Sequence, residues 1–334
     1  MSVISQVQPP PSSLQRLMRL LGTERKDIIY ILLFAIITGL IGLTLPLGIQ
    51  AVFNLVASGM LFSSIYVMIG LVIVGVLVGG ILTIVQYTLV EILQQRLFAK
   101  AAFEVTHRLP RIQPEALNAY YPPELMNRFF DVVTLQKGMS KVLIDVPAAG
   151  IQIIFGIILL SFYHPVFLGF GLITLLAIYG IIRLFGPEGT RTSIKESSDK
   201  YKVVDWLENY SLEVTGQRPP DSSTTPIRQI DQRLAYYIDH RNDHFKVLKR
   251  FFYSSVAYRT LVTGGLLILG TSLVVSRQLS LGQFVASELV IVLITGAVEK
   301  LTSSIDTVFD MLAGVEKIGA ITDLPLETDT PTHA

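Results

Sequence analysis

The sequence predicts an all-α membrane protein, with six transmembrane helices and two long cytoplasmic helical hairpins. Three observations carry that prediction. The 334 residues are 51% hydrophobic and 16% charged, with mean hydropathy +0.54, more apolar surface than a soluble fold of this size can bury. The apolar residues gather into six runs, most as long as the roughly 18–20 residues a helix needs to cross about 30 Å of hydrocarbon. The loops between them alternate between very short and uncharged, and long and basic. A transmembrane β-barrel would show short alternating segments instead.

The spans fall at 28–57, 64–90, 142–162, 165–183, 256–276 and 283–299, with hairpins at 91–141 and 184–255. The turns at 57–63 and 162–165 hold no Lys or Arg, and the last short turn holds only Arg277. Both hairpins are rich in Lys and Arg close to the span ends, so the positive-inside rule places the hairpins and both termini in the cytoplasm. That arrangement fits a multi-pass protein of the cytoplasmic (inner) membrane. No cysteine is present, which excludes disulfide and thiol chemistry. The polar start of the chain, with Pro9, Pro10 and Pro11, is not a signal sequence.

Residues 1–26 read as a tail and an interfacial elbow helix, with Leu14, Leu17, Met18 and Leu21 on one face and Arg16 and Arg19 opposite. The transmembrane domain runs over 27–315, and 316–334 reads as a linker or tail. In the first span Pro46, with Gly39, Gly42 and Gly48 nearby, predicts a kink. The second span carries Gly70, Gly75, Gly79 and Gly80, which suit close helix approach. Helix formers continue past it to Pro110. The fourth span continues past an interruption at Gly186-Pro187-Glu188-Gly189 to about Val214, and helical periodicity resumes at Ile227.

The tip of the first hairpin reads Tyr120-Tyr121-Pro122-Pro123-Glu124-Leu125-Met126-Asn127-Arg128, followed by Asp131-Val132. With the six spans and two hairpins, this resembles the transmembrane domain of type I ABC exporters, whose first hairpin ends in a short transverse coupling helix. Pro122-Pro123 stands where that family usually has Thr-Gly, and Pro suits a first helical turn. Leu279 to Ala286 is similar to the family's junction between helices 5 and 6, and Ala313 to Ile318 to its exit from helix 6. Ser161 to Pro165 and Val298 to Leu301 are similar to a peptide- or toxin-secretion branch seen in Bacteroidetes.

The resemblance implies the ABC transporter type I transmembrane fold and a permease half of an ATP-driven exporter, working as a homodimer or heterodimer in a lipid bilayer. Coupling to an ATPase would fall to Pro123, Glu124, Leu125, Met126, Asn127 and Arg128, and in the second hairpin to Leu207, Glu208, Asn209, Tyr210 and Ser211. The second match is weaker, because the family's usual Gly-containing pattern is absent. No Gly-x-x-x-x-Gly-Lys-(Ser/Thr) phosphate loop occurs. No cofactor is expected in this stretch and no nucleic-acid partner; ATP and Mg would sit on an ATPase in another chain, unless the sequence is a truncated piece of a fused transporter. Leu279-Ser280-Leu281-Gly282-Gln283 mimics the ABC signature but lies on a turn without an ATPase core. A second reading from a different class is a motor-less, non-transporting assembly or regulatory protein. A secondary transporter ranks last, since Pro46 is the lone mid-span proline.

Gln50, Asn54, Gln86 and Glu299 are the candidates for a substrate pathway, because polar groups at membrane depth are costly and usually functional. Gln50, Asn54 and Gln86 suit interhelical hydrogen bonds equally well. Glu288, Arg259 and Glu91 either snorkel to the interface or face such a pathway. Asp239, His240, Asp243 and His244 put two imidazoles at metal-capable i, i+4 spacing, yet with no Glu in the zincin position and no Cys they read as a solvated or inter-subunit polar face.

Overall fold

The computed structural model describes residues 15–17, 22, 24–59, 62–114, 127–216, 225–322 and 324. All regular structure among them is helical. The first span is two helices, α1 (Arg25–Gly42) and α2 (Thr44–Ala57), which meet at Leu43. The break has the expected cause: Pro46 lacks an N–H to continue the ladder, and the Thr44 hydroxyl donates to the Ile41 carbonyl beside it. α3 (Phe62–Arg108) carries the second span and runs far beyond it, ending in a 3₁₀ turn at Leu109–Arg111. α4 (Asp131–Ser140) leads through a π-helical turn, Lys141–Asp145, into α5 (Val146–Tyr163). α6 (Val166–Gly216) and α7 (Thr225–Val275) form an antiparallel pair of 51 residues each, and α8 (Leu281–Thr322) carries the sixth span.

Six helical segments are long and apolar enough to cross a membrane: Arg25–Ala57, Ser63–Arg111, Asn127–Tyr163, Val166–Thr215, Thr225–Val275 and Leu281–Gly319. Their burial separates the centre from the edge. Half of the most apolar stretch of the sixth is buried, and none of the second. α8 is therefore the axis, packed by α2, α4, α5, α6 and α7. One cluster joins Ile153 and Leu160 of α5 with Val290, Ile291 and Ile294 of α8, and Phe167 and Tyr258 of α6 and α7. A second joins Ile31, Val90, Leu93, Leu135 and Met139 to Met311 and Val315. Leu17 of the elbow packs into the second cluster, and Arg16 pairs with Glu316 at 2.8 Å. Among the described residues, α6 packs on α5, α7 and α8, and α7 on α6 and α8, rather than on α1–α3.

α6 corrects one expectation. The Gly186–Gly189 segment does not interrupt it, and a single helix passes through Pro187. Tertiary contacts brace that stretch: Phe185 meets Phe251 edge-on at 5.6 Å, and Arg250 pairs with Glu188 at 2.7 Å. Gly189 has the Phe309 ring where a Cβ would stand, so its smallness serves packing. In α3 the glycines divide: Gly75 faces Thr44 and Gly79 faces Ile41, while Gly70 and Gly80 meet nothing within 4 Å.

Candidate functional site

The charged halves of α3, α6, α7 and α8 lie beyond the apolar spans and form a stem on the hairpin side. At 1.5 Å per residue α6 and α7 are each about 77 Å long, of which the hydrocarbon takes about 30 Å. The remainder is a rod roughly 45 Å long, and rods of that length need polar and apolar ties. His244 supplies one. It is fully buried, its Nδ1 lies 2.8 Å from the Thr192 hydroxyl, and its Nε2 lies 3.3 Å from Asp306. One residue from each of α6, α7 and α8 thus meets at a single imidazole, with Phe309 edge-on to the ring at 5.9 Å. The bond to His244 holds the Asp306 carboxyl below its usual range. A solvated face, expected for both histidines, therefore fails for His244, because the third helix closes over it. His240 goes elsewhere, to Asp199, which also takes Lys202.

The stem meets the first hairpin at Asp131, the acidic residue that follows the coupling match. Asp131 is buried, accepts a hydrogen bond from Tyr201 of α6, and lies against Gly314 of α8. Burial raises its carboxyl pKa against the lowering effects of Tyr201, Lys200, Lys317 and Arg128. Pro123, Glu124, Leu125 and Met126 lie outside the described residues. Asn127 and Arg128 lie inside, one helical turn before Asp131. Leu207, Glu208, Asn209, Tyr210 and Ser211 occupy the last turns of α6, continuous with the rod rather than set across it. There Trp206 and Tyr210 stack at 5.1 Å, and Trp206 Nε1 donates to Gln229 of α7. Asn127 Nδ2 and Glu208 Oε2 are buried atoms with no hydrogen-bond partner among the described residues.

The four pathway candidates are not brought together. Gln50 accepts a 2.7 Å hydrogen bond from Tyr163, tying α2 to the end of α5. The Asn54 side chain closes on Gly282 at the start of α8. Gln86 is 1% exposed and donates to the Ile31 carbonyl, tying α3 to α1. Glu299 pairs with Arg259 at 2.6 Å near the hairpin-side edge of the spans. Next to it, Lys300 reaches Asp145 at 2.8 Å, and Lys141 reaches the same carboxylate at 3.1 Å. That clamp was missed in the sequence, although an acid placed just ahead of an apolar run signals a need for a counter-ion. Glu288 is half-buried, and its Oε1 has no hydrogen-bond partner among the described residues.

The signature mimic has a structural use. Ser280 N–H donates to Gln283 Oε1 and Gln283 N–H to Ser280 Oγ, a reciprocal capping box that starts α8. Arg277, at φ 57°, makes the left-handed step before it. Both polar side chains of the mimic are thereby spent on the helix end.

A comparison with protein families matches residues 28–208 to the ABC transporter transmembrane region, over half of the chain. The class is therefore a multi-pass membrane protein with this transporter domain. In particular, the chain belongs to the ABC transporter transmembrane region family. No curated protein sequence matches it.

Proposed function

We propose that this chain is the membrane-spanning permease subunit of an ATP-driven ABC exporter, driven by ATPase domains on another chain. The observation that carries the reading is the pair of rigid rods, α6 and α7, that project from a family-matched transmembrane bundle. Their tips, with the Asn127–Arg128 turn, hold the residues that resemble coupling helices. Buried Asn127 and Glu208 atoms there await a polar partner. ATP-driven closure of the ATPase would displace the tips. Rods tied to α8 through His244 and to α4 through Tyr201–Asp131 would carry that displacement into the bundle. The chain's contribution is then mechanical: biasing a two-state packing equilibrium rather than making or breaking bonds. In this reading the hairpins and termini are cytoplasmic in the inner membrane, and two permease halves pair with α6 and α7 crossing to the partner.

The test pairs Glu124→Ala with Arg128→Ala in the full chain, reconstituted in vesicles with the ATPase that co-purifies with it. Substrate-stimulated ATP hydrolysis and flux should become uncoupled while the subunits stay folded. Unchanged stimulation and flux would refute the coupling role. Purification without any ATPase would favour the motor-less assembly protein.

A further inference from the structure

The stem contains a groove of about 250 Å³ between α6 and α7, lined by four cations, Arg191, Lys195, Lys246 and Arg250, and two carboxylates, Glu188 and Asp243. Two of the cations are matched: Lys246 with Asp243 at 2.8 Å, and Arg250 with Glu188 at 2.7 Å. Arg191 and Lys195, one turn apart on α6, make no hydrogen bond or ion pair among the described residues. Four cations against two carboxylates leave the groove two charges positive. The positive field shows at Asp243, whose carboxyl is held below its usual range mainly by Lys246, with weaker help from His240 and then Lys195.

Position selects the anion. From Ile182, where the uncharged apolar run of α6 ends, to Arg191 is nine residues, roughly 13 Å. From Arg250 to Val256 on α7 is six residues, roughly 9 Å. Long cationic side chains reach back from there toward the headgroup layer. The stripes that carry the groove continue into the spans. Leu184 lies one turn above Glu188 on the same face of α6, and Tyr253 lies one turn above Arg250 on α7. These two are 72% and 71% exposed. Further up, Gly180 on α6 has nothing within 4 Å, and Leu261 on α7 is exposed. A basic groove thus opens onto an uncovered apolar seam with a tyrosine at the boundary, which a free phosphate does not need and a lipid does.

We propose that this groove binds the phosphate headgroup of an anionic phospholipid from the leaflet on the hairpin side. Arg191 and Lys195 contact the phosphate, and the acyl chains lie along Leu184 and Tyr253. This site does not depend on transport itself, but it requires that the partner half of the proposed dimer leave Leu184 and Tyr253 open to lipid.

The test is native mass spectrometry of the full-length protein, titrated with phosphatidylglycerol or phosphatidylcholine of identical chains, with inorganic phosphate as competitor. Phosphatidylglycerol should bind preferentially. Arg191→Gln with Lys195→Gln should weaken it on the order of thirtyfold, from two cations near the membrane surface. The charge-matched pair Arg228→Gln with Arg233→Gln, far along the stem, should leave it unchanged. Retention volume and Tm report whether each variant is folded, and Arg191→Lys with Lys195→Arg should restore binding if the groove variant misfolds. Equal binding of the two lipids, no loss in a folded groove variant, or displacement by millimolar phosphate alone would each overturn the proposal. So would labelling that shows a second copy of the chain covering Leu184 and Tyr253 in place of lipid.

Discussion

His244→Ala should be among the most damaging single substitutions in the stem, because the imidazole is shared by three helices. The side chain is fully buried, so its removal leaves a cavity with Phe309, Thr192 and Asp306 on the walls. Truncations of large buried side chains cost about 2–5 kcal/mol, the spread reflecting how far the site collapses. The polar part is smaller. Thr192 keeps the Glu188 and Gly189 carbonyls within reach as acceptors, at 3.0 and 3.1 Å. Asp306, with a side chain 37% exposed, is partly rehydrated and screened, so losing His244 costs it at most about 1 kcal/mol. The expected total is about 3 kcal/mol. Asp306→Asn, which keeps an acceptor, should cost less than about 1 kcal/mol.

The pH dependence has a definite sign. Asp306 is depressed in the folded protein, so its contribution is present above its ordinary value of 3.8 and is lost as pH falls through the lower folded value. Equilibrium unfolding of the full chain in mixed micelles at pH 7 reads the difference. A loss under about 1 kcal/mol for His244→Ala, or a larger loss for Asp306→Asn, would show that the three-helix tie is incidental.

Two further outcomes follow from packing and burial. A Cβ on Gly156 would stand 2.7 Å and 2.9 Å from two carbons of the fully buried Ile294, so Gly156→Ala should lower stability by about 1–3 kcal/mol in the same unfolding assay, and an unchanged midpoint would refute the tight α5–α8 contact. Burial raises the Asp131 pKa, so the native state gains stability from its proton that is complete below 3.8 and lost as pH rises through the folded value. The Tm of the native protein minus that of Asp131→Asn should therefore fall with rising pH, and a flat difference between about pH 4 and 8 would contradict it.

Much of the architecture is legible in the amino-acid sequence. Each span is announced by a long apolar run, because hydrocarbon tolerates backbone only when its polar groups bond within the segment. The kink at Leu43 was legible for a similar reason, since a missing N–H at Pro46 is a local fact. The site was less so. Gln86, Gln50 and Glu299 looked alike as polar residues in apolar surroundings. One is a buried tie between α3 and α1, one caps a helix-to-helix bond at Tyr163, and one is an exposed ion pair. Nothing in their immediate neighbours distinguishes these fates.

The amino-acid order by itself determined where the helices lie, which stretches are apolar enough for lipid, and where the charge is concentrated, because these depend on composition within a few turns. Only the tertiary structure decided that α6 passes unbroken through Pro187, that α8 is the axis, and that His244 is sealed while His240 is not. Those outcomes depend on which distant helix face arrives alongside: Phe251 opposite Phe185, Phe309 against Gly189, Asp306 beside the imidazole. A residue's own spacing records which way it faces along its helix, but not what stands across from it.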